Sequence, residues 1–156
     1  MGTAAQRQDD RTMGTAAQRQ DDRAMGTAAQ RQDGSKVTGF IVFAHGSRVE
    51  SANQAVREVA SQMAASGHYL VEAAFLELGQ PDLTGATALL IARGAKRIVV
   101  IPYFLTLGTH MQRDLPRLVR EAAQAHGDVE MEVTATLDGH PALLQALLDR
   151  AGAALR

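Results

Sequence analysis

The chain has 156 residues, 46% hydrophobic and 21% charged, with no cysteine, no tryptophan and a formal net charge of −1. That length fits one domain better than two, and the near-neutral charge argues against a nucleic-acid footprint. The lack of cysteine excludes a disulfide framework and a thiolate metal site.

The first 36 residues stand apart from the rest. MGTAAQRQDDRT from Met1, MGTAAQRQDDRA from Met13 and MGTAAQRQDGSK from Met25 are near-copies of one 12-residue unit. Solenoid repeats usually run to periods of about 20–50 residues and carry an apolar face to stack. These units offer little beyond a Met and a pair of Ala, too little burial to offset the entropy of ordering them. Residues 1–36 are therefore expected to be a disordered or weakly helical leader without chemistry. An oligomerisation or docking arm is the alternative. The folded domain is expected over Val37–Arg156, and all five histidines lie in it, so metal chemistry falls to imidazole, carboxylate and other oxygen donors. No apolar run approaches the ~20 residues of a membrane span. The start of the chain also lacks the apolar middle of a secretory signal. A cytoplasmic location is the expectation.

From Thr38 the pattern becomes regular. Phe40–Ala44 is a continuous apolar run, as expected of a strand buried on both faces. It ends in His45-Gly46-Ser47-Arg48. Ser51 and Gln54 have the spacing of a capping box, and Ala52, Ala55, Val56, Val59, Ala60 and Met63 follow helical spacing up to Gly67. A second strand, Tyr69–Leu76, leads to Glu77. Pro81-Asp82 opens a helix through Arg93, with Gly94 as its stop. Arg97–Pro102 is the most apolar strand and is expected at the centre of the sheet. Tyr103–His110 reads as a loop, with Asp114 capping the next helix, Pro116 in its first turn and Gly127 past its end. Val129–Ala135 alternates strictly, as a half-exposed edge strand does. Pro141 starts the last helix, whose Leu143, Leu144, Leu147 and Leu148 form a stripe expected in the core together with Met131.

The order βαβαβαβα predicts a single α/β domain: a four-stranded, mainly parallel sheet with helices on both faces and right-handed crossovers. Such sheets bind ligands at the carboxyl ends of their strands. The loops there hold His45, Glu77 and His110, spaced 32 and 33 residues apart, one crossover unit each. Two imidazoles and a carboxylate suit Co²⁺, Fe²⁺, Ni²⁺ or Zn²⁺, and a neutral imidazole can equally accept a proton. A histidine at a strand end is as often a hydrogen-bonded loop residue, so the constellation alone leaves both readings open. Among the others, His68 is expected to be exposed, His126 to sit in the last turn of a helix, and His140 to cap the final helix. Dinucleotide, P-loop and serine-hydrolase signatures do not occur. The amides of Gly46-Ser47 near a helix start offer a further reading as an anion cradle.

Phe43-Ala44-His45-Gly46-Ser47-Arg48, then Ala74–Glu77 with Pro81, then Val100–Leu105 through Gly108-Thr109-His110 and Asp114-Leu115-Pro116 resemble the small class II chelatases. These are the CbiX-type sirohydrochlorin cobaltochelatases and their ferrochelatase and nickel-chelatase relatives. Gly139-His140-Pro141 adds to the resemblance, which covers Val37–Arg156 and none of the leader. It implies insertion of a divalent ion, Co²⁺ ahead of Fe²⁺ or Ni²⁺, into sirohydrochlorin on the cobalamin or sirohaem route. The ion is then a substrate, and no tightly bound cofactor is expected. His45 would be proton acceptor and metal ligand, His110 the second ligand, and Glu77 an aid to metal delivery or proton removal. Leu105, Thr106, Leu107, Gly108, Thr109 and His110 would lie against the tetrapyrrole. Where family members often carry Glu before the helix-opening Pro, this chain has Gln80, which retains hydrogen bonding to substrate but not a charge. Arg48 and Arg113 are candidates for the substrate's carboxylates, with ion pairs to Glu50 or Asp114 as the alternative. The resemblance also implies a homodimer, each chain supplying half of a bilobed cleft. A non-catalytic metal or tetrapyrrole carrier of the same fold is the rival reading, and a phosphoryl-transfer enzyme using His45 a third.

Overall fold

Strand β1 (Thr38–Ala44) is interior to the sheet and covered on both faces, and this is why Phe40–Ala44 is apolar without interruption. The computed structural model describes residues 36–127 and 129–156, with His110 described by its backbone alone, so the expectations for leader residues 1–35 lie outside the described residues. β1 pairs in parallel with β2 (Leu70–Phe75) on one side and with β3 (Arg97–Pro102) on the other. β3 pairs in parallel with β4 (Glu130–Val133), giving the order β2-β1-β3-β4. The sheet is parallel throughout, β3 is interior as its composition predicts, and the alternating β4 is an edge.

Successive β1 side chains point to opposite faces and seed two cores. Ile41 and Phe43 pack with Ala74, Ile98 and Val100 under α2 (Leu83–Ala92) and α3 (Thr109–Ala125). Val42 and Ala44 pack with Val71, Ala73 and Phe75 under Ala60 of α1 (Glu50–Gly67). Ile41 and Phe43 have no exposed surface, and burying each is worth roughly 1.5–3 kcal/mol. Among the described residues no helix is long and apolar enough to cross a membrane.

Helix starts and faces depart from the sequence reading in three places. α1 begins at Glu50 behind Val49 with no side-chain cap, so the Ser51/Gln54 capping box does not form. Ser47 Oγ instead accepts from the Val49 N–H at 3.0 Å, turning the chain before Ser51 is reached. The inward face of α1 is correspondingly set by Asn53, Val56, Ala60, Met63 and Ala64, leaving Ala52 and Ala55 exposed. α3 begins at Thr109 behind Gly108, not at Asp114. Its buried stripe of Met111, Leu115, Val119 and Ala122 already needs a helical turn ahead of Asp114. Pro116 is therefore interior, and the carbonyl it leaves without a donor belongs to Gln112, an exposed residue that water can serve.

The third departure concerns α4 (Pro141–Ala154), which buries none of its residues in this chain. Leu144, Leu147 and Leu148 are 62%, 68% and 56% exposed, so the stripe is not core, although Met131 packs against the α2/α3 core as expected. The helix follows an edge strand, and among the described residues Leu143 alone of its stripe is half-buried. Its start is well made, with Pro141 in the first turn and His140 Nδ1 accepting from the Ala142 N–H at 3.2 Å.

Candidate active site at the carboxyl edge of the sheet

The β1–β2 ladder runs on past both strands. Leu76 N–H donates to the Ala44 carbonyl at 2.9 Å, and Glu77 N–H donates to the His45 carbonyl at 3.0 Å. On the other flank Tyr103 N–H donates to the Phe43 carbonyl at 2.7 Å. The backbone thus places His45, Glu77 and the Tyr103–Gly108 loop side by side at one edge, as the strand order predicts. His110 follows in the first turn of α3, in a helix and not in the expected loop. Among the described residues, no three His, Asp or Glu side chains gather closely enough to hold an ion.

The His45 ring is exposed to solvent but fixed from below. It packs edge-to-face on Phe104, with centroids 4.7 Å apart, and Phe104 packs in the same way on buried Phe43 at 6.0 Å. Phe104 itself is buried, so the imidazole stands on a rigid aromatic column rooted in the α2/α3 core. The sequence reading missed this column, whose only signal is an aromatic two residues past a central strand.

Close packing of the two loops depends on Gly46, whose φ of +86° is favoured by glycine. A Cβ there would lie 3.1 Å from the Leu78 carbonyl carbon, 3.2 Å from Glu77 O and 3.3 Å from Gly79 N. The Ser47 amide does not offer itself to an anion: it donates to Asn53 Oδ1 at 2.8 Å. That engagement removes support from the anion-cradle reading.

The other sequence candidates fall around this edge. Leu105, Thr106, Gly108 and Thr109 are exposed, while Leu107 is half-buried against the core. The Phe104 and Leu105 carbonyls accept from Leu137 and Asp138 N–H groups at 3.0 and 2.8 Å, tying this loop to the segment ahead of α4. Tyr103, Leu105 and Leu78 expose apolar surface at the same edge. Glu77 and Gln80 border an open groove of about 510 Å³ with Glu50, Arg57 and Asp82. Glu50 pairs with Arg57 at 2.6 Å and not with Arg48. Hydrogen bonds from Arg57 first, then Asn53, hold the Glu50 carboxyl below its usual range. Arg48 and Arg113 are exposed and enter none of the described ion pairs. The remaining histidines are structural: His68 is exposed and ends α1 with φ 53°, His126 Nε2 lies 3.1 Å from the Thr84 carbonyl, and His140 caps α4.

Comparison with known proteins agrees with this arrangement. The chain is 36% identical over 113 residues to the chloroplastic sirohydrochlorin ferrochelatase of Arabidopsis thaliana, a match covering 72% of this chain and 50% of that protein. It is 34% identical over 80 residues to the sirohydrochlorin cobaltochelatase of Methanococcus maripaludis, covering 51% of this chain and 56% of the relative. The chain thus spans about half the length of these curated relatives. Among solved structures, a cobalamin (vitamin B12) biosynthesis CbiX protein from Marinobacter aquaeolei VT8 superposes with a TM-score of 0.67 at 24% identity. That match covers 76% of this chain and 97% of the other, and it establishes the fold. The sirohydrochlorin chelatase SirB of Bacillus subtilis subspecies spizizenii, in complex with cobalt, superposes with a TM-score of 0.54 at 25% identity, over 64% of this chain and 43% of that one. The CbiX family model matches residues 39–154, from the first strand to the end of the last helix. Since that match takes in every element that builds the His45 edge, the chain belongs to the CbiX family.

Proposed function

We propose that this chain is a sirohydrochlorin chelatase that inserts a divalent ion, Co²⁺ in preference to Fe²⁺ or Ni²⁺, on the cobalamin or sirohaem route. The observation that carries this reading is the exposed His45 imidazole, seated on Phe104 with Glu77 on the adjoining strand end. Insertion requires the macrocycle to lose its pyrrole N–H protons while the ion exchanges its ligands for ring nitrogens. A neutral imidazole is suited to either task near neutral pH, and His45 takes them in turn, since one nitrogen lone pair cannot hold an ion and a proton together. His110 supplies the second ligand and Glu77 passes protons or ions to His45.

The exposed apolar groups of Tyr103, Leu105 and Leu78 suit the flat face of a tetrapyrrole, against which residues 105–110 lie. Gln80, Arg48 and Arg113 meet its carboxylates in this reading, which their exposure supports. Cobaltochelatases among the relatives support Co²⁺, and the Arabidopsis ferrochelatase keeps Fe²⁺ in competition. A cytoplasmic homodimer completes the proposal, its dimeric part supported by the leucines that α4 leaves exposed. The test is a spectrophotometric assay of sirohydrochlorin with Co²⁺, Fe²⁺ or Ni²⁺ in turn. Catalysis is expected, fastest with Co²⁺. A rate no higher than the uncatalysed reaction for all three ions would leave the carrier reading in its place.

A further inference from the structure

Asn53 is a polar side chain, 2% exposed, that the reaction outlined above does not use. Its Oδ1 accepts from the Ser47 N–H at 2.8 Å, while its Nδ2 donates to the carbonyls of Ser47 and Leu78, each at 2.9 Å. This pattern fixes the amide orientation, since the flipped group would set its oxygen against two carbonyl oxygens. The Ser47 bonds are local and would serve any helix start that lacks a cap. The Leu78 bond is different, because it crosses 25 residues to the loop that carries Glu77. One turn further along α1, Arg57 extends the same grip. It donates to the Gln80 carbonyl at 3.2 Å, pairs with Glu50 at 2.6 Å and lies over the Phe75 ring at 5.2 Å. Glu50 in turn accepts from Asn53 Nδ2 at 3.3 Å. The first two turns of α1 therefore hold the His45–Arg48 and Glu77–Gln80 loops together at the point where Gly46 lets their backbones touch.

We propose that Asn53 is a positioning residue, setting the separation of His45 and Glu77 through its bridge between Ser47 and Leu78. The kinetic half of this proposal rests on the chelatase reading, and the structural half does not. Asn53→Asp keeps the side-chain shape and the bond from the Ser47 N–H but cannot donate to Leu78. Asn53→Ala removes the bridge entirely. Two readouts decide the matter: amide hydrogen exchange at Glu77 against Ile98 and Val100, and the single-turnover rate at saturating enzyme, where further enzyme no longer raises the rate and the folded fraction drops out. Exchange at Glu77 is expected to speed up by about tenfold or more in both variants, with the β3 amides unchanged. The single-turnover rate is expected to fall roughly 10- to 100-fold, as misplacement of reacting groups by a fraction of an ångström to an ångström does. Exchange rising equally across β3 would make Asn53 a general stabiliser and overturn the proposal, as would a wild-type single-turnover rate in Asn53→Asp. An inactive wild type would instead refute the chelatase reading, and the exchange comparison would still decide whether Asn53 bridges the loops.

Discussion

Replacing Gly46 by alanine tests how much of the site depends on two backbones meeting at one point. Two costs combine. A side chain at φ +86° is strained whatever the space, by about 1–2 kcal/mol. The new methyl also meets three backbone atoms of the Glu77–Gly79 loop at 3.1–3.3 Å, closer than ordinary contact, and backbone cannot rotate aside as a side chain can. Gly94→Ala isolates the first cost, since Gly94 has φ +94° and nothing within 4 Å of its Cβ position. If the loops must part to admit the methyl, Gly46→Ala should lose a further ~1–2 kcal/mol, the lower range for overpacking a tight site. Differential scanning calorimetry should then place its melting temperature roughly 3–8 °C below that of Gly94→Ala. The insertion rate should fall at least tenfold in Gly46→Ala and stay within about twofold of wild type in Gly94→Ala. Equal melting temperatures for the two variants, with full activity in Gly46→Ala, would refute the argument that this contact sets the site.

Two further outcomes follow from α4 and from the start of α1. Leu147, 68% exposed in the single chain, should lie in the contact between copies, so sedimentation should give a dimer for wild type and a monomer of unchanged helicity for Leu147→Glu. A variant that stays dimeric would remove α4 from the interface. Glu50 has its carboxyl held below the usual value of 4.5 by Arg57 and Asn53, so its ionised form stabilises the fold. The contribution is fully present above that value and is lost as pH falls through the lowered one. The melting-temperature gap between wild type and Glu50→Gln should accordingly be constant from neutral pH down to about 5 and close as the pH drops below the usual carboxylate range. A gap that persists unchanged at pH 2–3, well into acid, would show that the ionised form contributes nothing.

The parts of the fold that proved legible are those where one physical demand acts alone. Phe40–Ala44 and Arg97–Pro102 are apolar on both faces because interior parallel strands are covered on both faces, and β4 alternates because it is an edge. From the strand order, the meeting of the His45, Glu77 and Leu105–Gly108 segments followed directly. Competing demands hid the rest. Ser51 and Gln54 look like a capping pair, but Ser47 and Asn53 capture the chain first. Asp114 and Pro116 look like a helix start, but the Met111–Ala122 stripe extends the helix backwards to Thr109. The α4 leucines have the spacing of a core helix, and spacing does not say whose core. Asn53 and Phe104 escaped notice because their roles depend on partners distant in sequence, Leu78 for one and the imidazole of His45 for the other.

The central claim is that the imidazole of His45 takes the macrocycle's protons and holds the incoming ion. The most direct measurement is the initial rate of Co²⁺ insertion into sirohydrochlorin by wild type and by His45→Ala, with circular dichroism confirming the same fold in both. His45 is exposed, so its loss should leave the sheet intact. The variant's rate should fall by about 10²-fold or more, in line with loss of a general base. A folded His45→Ala protein that inserts cobalt at the wild-type rate would contradict the claim.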